Sequence, residues 1–152
     1  MFLRIIIILL IANLVLAFTP PNNLLEYYLV RYDKSESAKN EIYHLHGKRF
    51  PLKEAFIAEY RNNSNGKIII WGSVSYNNKE AKELFNMMHT KMPNSNLFTG
   101  LKKYKIKQID IFYVKGMGMD NVYFVKDNIN IWIASINVDL FKISEAIIND
   151  IK

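Results

Sequence analysis

The sequence predicts an α+β domain, an antiparallel sheet of hairpins with two amphipathic helices packed on one face. Three observations carry that expectation. β-rich runs are separated by short polar turns, two stretches repeat apolar residues at helical spacing, and the order is strands, helix, strands, helix. A parallel doubly wound sheet would need strict alternation of strand and helix, with a glycine-rich phosphate loop after a strand, and the chain has neither.

The first element is a leader. Arg4 is followed by an almost wholly apolar run from Ile5 to Phe18, the layout of a signal peptide and short of the ~20 residues that span a bilayer comfortably. Val15 and Ala17 fit the positions before a cleavage site, so cleavage after Ala17 is expected; the alternative is an uncleaved anchor, with Phe2 and Leu3 lengthening the span and Arg4 snorkelling. On this reading residues 1–17 are signal peptide or membrane anchor, residues 18–23 a proline and asparagine spacer, and residues 24–152 a single domain. Localisation is then extracytoplasmic, secreted or held at the membrane.

Within the domain, residues 24–32 fit a strand or a short helix, and residues 33–40 read as a polar loop. The alternation from Ile42 to His46, ending at Gly47, reads as a strand. Residues 55–60 and 67–71 form a hairpin around the turn Asn62-Asn63-Ser64-Asn65-Gly66, which also contains an N-glycosylation sequon. Asn77 and Asn78 offer caps for a helix whose apolar stripe is Ala81, Leu84, Phe85, Met88 and Met92, stopped by Pro93. Strands follow at 104–107, 109–115, 122–126 and 129–136, the last two joined by Asp127-Asn128. Asp139 caps a final helix with Leu140, Ile143, Ile147 and Ile151 on one stripe.

The order of residues 55–60, residues 68–75, the helix opening Asn78-Lys79-Glu80-Ala81 with Phe85 and Met88, then hairpins and a last helix resembles that of small exported archaeal and bacterial domains of unknown function. The resemblance covers about two thirds of the chain in pattern and implies no activity.

Composition narrows the chemistry. With no cysteine, disulfides, thiol nucleophiles and thiolate metal sites are excluded. The formal charge of +6 becomes +5 once Arg4 leaves with the leader, a moderate excess that suits an anionic envelope surface or a partner protein as binding partner, and no nucleic acid. Lys102, Lys103, Lys105 and Lys107 form a basic cluster, with 103, 105 and 107 on one strand face. There is no nucleophile elbow and no zinc-protease helix, so no residue is assigned a catalytic role.

Metal ligation is the one alternative with named residues. On a strand, His44 and His46 would share a face, and His89 or Glu41 could complete a Cu or Zn site. Met87, Met88 and Met92 flank His89, and Met117 and Met119 lie in a glycine loop; thioether with imidazole suits Cu(I). The ordinary reading of these residues is packing and solvent contact, with no cofactor. The expectation is therefore a non-enzymatic binding or accessory module of the cell envelope, the alternative an extracytoplasmic Cu/Zn-binding protein using His44, His46, His89, Met117 and Met119.

Overall fold

The computed structural model describes residues 18–152. The leader read from residues 1–17 lies outside the described residues. The described chain forms one eight-stranded, wholly antiparallel sheet in the order β1-β2-β3-β4-β8-β7-β6-β5. Its strands are β1 (Asn23–Leu24), β2 (Tyr27–Asp33), β3 (Glu54–Arg61), β4 (Lys67–Val74), β5 (Phe98–Ile106), β6 (Ile109–Gly116), β7 (Met119–Lys126) and β8 (Ile129–Ile136). The helices are α1 (Glu36–His46), α2 (Asn78–His89) and α3 (Leu140–Asp150).

The α+β class and the antiparallel hairpins are as expected; the helices differ in number and placement. Among the described residues there are three, and they cover both faces of the sheet. Alternate strand residues point to opposite faces. Phe56, Ala58 and Tyr60 of β3, with Ile68 and Ile70 of β4 and Ile131 and Ile133 of β8, pack against Leu140, Ile143 and Ile147 of α3. The intervening Ala55 and Ile57 of β3 pack with Ala38 and Ile42 of α1 and Leu84 of α2. Phe85 of α2 joins Val114 and Tyr123 on that same second face. A sheet buried on both sides explains why β4 reads as a continuous apolar run, Ile68-Ile69-Ile70-Trp71, and lacks an alternating pattern.

The added helix is α1, which occupies the stretch expected as a polar loop and a strand. Ser35 caps it, accepting from the Ser37 N–H, while its own hydroxyl donates to Asp33 at 2.6 Å. Gly47, with φ 69°, ends it in the left-handed conformation. Arg31 of β2 reaches Glu41 at 3.8 Å and ties the helix to the sheet.

The stretch 18–23, expected as a spacer, lies on the folded unit. Phe18 is only 4 % exposed, its ring 5.6 Å from that of Phe56, and the Tyr60 hydroxyl donates to the Pro21 carbonyl at 2.9 Å. The β3–β4 hairpin turns where expected: Asn62 Oδ1 accepts from the N–H groups of Ser64 and Gly66, so the sequon asparagine holds its own turn. Asn77 caps α2 through Glu80, and Asp139 caps α3 through Lys142, both at the expected positions. The later hairpins close on Lys107-Gln108, Met117-Gly118 and Asp127-Asn128, with positive φ at Lys107, Gln108, Met117, Gly118 and Asp127.

Candidate functional site

On the face covered by α1 and α2, the helices and the sheet enclose a cavity of about 350 Å³. Its floor comes from the sheet. Trp71 and Trp132 are direct cross-strand partners in the β4–β8 pair, flanked along their strands by Ile69, Ser73, Asn130 and Ala134. Helix α1 contributes Ile42, Leu45 and His46 to the walls, and α2 contributes Leu84, Phe85 and Met88. Met92 and Phe98, from the connection after α2 and the start of β5, complete the lining with Met117 of the β6–β7 turn and Met119 at the start of β7.

The two indoles are fixed by their polar edges. Trp71 Nε1 donates to Glu41 of α1 at 3.1 Å, and Trp132 Nε1 donates to Asn121 Oδ1 at 3.0 Å. Asn121 also donates to the carbonyls of Gly116 and Met119, so one buried amide locks the methionine turn to the cavity floor. Trp132 stacks on Tyr123 with centroids 4.9 Å apart and meets Phe98 edge-on at 5.2 Å. With both indole N–H groups already donating, the indoles offer the cavity apolar surface, and the methionines add adaptable thioethers. Polar contact comes from the few groups Ser73, Asn121, Asn130 and His46.

The histidines expected as metal ligands part company. Because α1 is a helix, His44 and His46 are separated by about 200° around its axis and share no face. His44 is exposed, whereas His46 lines the cavity with its ring edge-on to Phe50 at 5.2 Å. Burial, and then the positive charges of Lys91 and Lys48, hold the His46 imidazole below the ordinary histidine pKa. His89 packs between Phe85 and Phe112, and its Nδ1 lies 2.9 Å from the Tyr123 hydroxyl, whose pKa burial pushes up. Among the described residues no group of three or more histidines and carboxylates is placed to hold a metal ion. Met117 and Met119 do come together with His46, Met88 and Met92 around one cavity. Met117 is 71 % exposed.

The basic cluster is partly neutralised. Lys103 and Lys105 both pair with Asp110, at 2.8 and 3.5 Å, and hold its carboxyl below the usual range, the Lys103 hydrogen bond most of all. Lys107 sits in the β5–β6 turn and donates to Asn149 of α3, leaving the strand face expected for it.

Sequence reasoning missed the cavity itself. Its lining comes from six elements, α1, β4, α2, β5, β7 and β8, with two connections, and the available signal was a tryptophan in each of two β-rich runs, flanked by the small side chains Ser73 and Ala134. No protein-family model, curated protein or solved structure matches the chain.

Proposed function

We propose that the chain is a non-enzymatic binding module that takes a small apolar ligand into the cavity between α1, α2 and the sheet. The observation that carries this reading is the cavity: about 350 Å³, floored by paired Trp71 and Trp132, walled by Phe85, Phe98 and four methionines, with few polar groups. Ligand sites are commonly concave, apolar and roughly 300–1,000 Å³, with a small number of placed polar side chains. The leader composition of residues 1–17 supports work outside the cytoplasm, as a secreted or membrane-held envelope component.

The test is a titration with a neutral hydrophobic fluorophore such as N-phenyl-1-naphthylamine. Saturable one-to-one binding is expected, weakened at least tenfold in Ala134→Phe, which fills the floor, and in Met88→Trp, which fills the wall. Binding that is unsaturable, or equal in the wild type and both folded variants, would count against the reading.

A second reading keeps the metal alternative in narrower form. Met88, Met92, Met117, Met119 and His46 around one cavity are ligand types that suit Cu(I). Under this reading Cu(I) binds one-to-one in competition with a chromogenic chelator, and loses affinity in Met117→Leu and His46→Gln but not in His44→Gln.

A further inference from the structure

The His46 corner of the cavity has a chemistry of its own. His46, in the last turn of α1, lines the cavity and is followed after Gly47 by Lys48; Met92, which also lines it, is preceded by Lys91 just beyond α2. The two helix ends are joined where Lys48 Nζ meets the Met87 sulfur of α2 at 3.3 Å. Both charges acting on His46 are positive. The C-termini of α1 and α2 contribute about half a negative charge each, so two full ammonium charges leave this corner net positive by about one charge. The neighbouring Arg49 is turned onto the Tyr43 ring at 5.6 Å.

An apolar interior beside a cationic corner is complementary to an amphiphile with an anionic head. Size sets the tail. A dry apolar cavity of ~150 Å³ takes one benzene ring, so about 350 Å³ holds on the order of a dozen carbons. That is the size of one chain. We propose that the ligand is a single-chain acyl carboxylate, its tail against Trp71, Trp132 and the methionines and its head among His46, Lys48 and Lys91. This rests on the cavity being a ligand site at all, and it adds the ligand's class and orientation. The His46 imidazole, neutral near physiological pH, supplies a hydrogen-bond donor beside the two charges.

The experiment is isothermal titration of the protein, in the form its host leaves it, with monomeric dodecanoate, dodecanol and dodecyltrimethylammonium. Dodecanoate is expected to bind roughly tenfold more tightly than dodecanol, with the ammonium weakest. Lys48→Gln combined with Lys91→Gln is expected to weaken dodecanoate roughly fivefold, the scale of two solvent-exposed charge contacts, and to leave dodecanol unchanged. Equal or tighter binding of dodecanol or of the ammonium overturns the carboxylate proposal while leaving an apolar site. A dodecanoate preference that stays near tenfold in the double substitution overturns the placement of the head group. If none of the three binds to a protein that still unfolds cooperatively, this proposal and the cavity reading fall together.

Discussion

Replacing Gly72 by alanine tests the packing that lets one sheet be buried on both faces. Gly72 is the cross-strand partner of Phe56, and the Phe56 ring occupies the space beside it. A Cβ at position 72 would stand 2.0 Å from Cε1 and 2.1 Å from Cζ of that ring. Ordinary contact begins near 3.4 Å, so the ring would have to withdraw by about 1.4 Å. It has nowhere to go without cost, because it is buried among Phe18, Tyr32 and α3. Overpacking of this kind costs ~1–3 kcal/mol, while the unfolded-chain benefit of Gly→Ala returns about 0.5–1. With the overpacking cost at the top of its range, as a 2.0 Å approach demands, a net loss of about 2 kcal/mol is expected, read as a lower urea midpoint at unchanged slope by tryptophan fluorescence. Phe56→Leu in the Gly72→Ala background should recover part of that loss, a coupling of ~1 kcal/mol in a double-mutant cycle. A Gly72→Ala protein as stable as wild type would refute the reasoning.

Three further outcomes follow from the structure. Asn62→Ala should cost about 1–2 kcal/mol of stability in urea unfolding, because the N–H groups of Ser64 and Gly66 lose their acceptor. The Tyr113 phenol, pushed up to about 12 by its hydrogen bond to Asp120 and then by burial, should ionise later than a free tyrosine in an absorbance titration. Its folded pKa lies above the reference 10.0, so the stabilisation is complete below pH 10.0 and is lost as pH rises through about 12; Asp120→Ala should bring ionisation back toward 10.0. For His46 the sign is opposite. Burial, with Lys91 and Lys48, lowers the folded pKa below 6.5, so the unfolded chain takes up the proton first and stability falls as pH drops below 6.5. His46→Gln should remove that part of the acid sensitivity, measured by comparing urea midpoints on either side of that pH.

The elements that were legible in the sequence are those whose pattern and punctuation agree. Helix α2 has its Asn77 cap, an apolar stripe and a proline beyond it; α3 has Asp139; the β3–β4 turn has its asparagines and glycine. Helix α1 was obscured because only Ala38 and Ile42 are buried on it, and Tyr43-His44-Leu45-His46 alternates like a strand. That single misassignment placed His44 and His46 on one face and gave the metal hypothesis a geometry that a helix does not allow. The second covered face was hidden for a related reason. A strand buried on both sides loses its alternation, so Ile68-Ile69-Ile70-Trp71 cannot say which residues meet which helix. The cavity was out of reach because it is a property of pairing register: Trp71 meets Trp132 only once β4 and β8, distant in sequence, lie side by side. Met117 and Met119 were noticed, but the amide of Asn121 that anchors their turn to Trp132 left no periodic trace.

The most direct test of the cavity as a ligand site is a methionine-methyl NMR titration with N-phenyl-1-naphthylamine. Met88, Met92, Met117 and Met119 line the cavity, while Met87, on the same helix as Met88, does not. The account predicts saturable shifts of those four methyl resonances, a still Met87, and no response in Ala134→Phe. Shifts of Met87 equal to those of its neighbours, or four methyls that stay put at saturating probe, would contradict it.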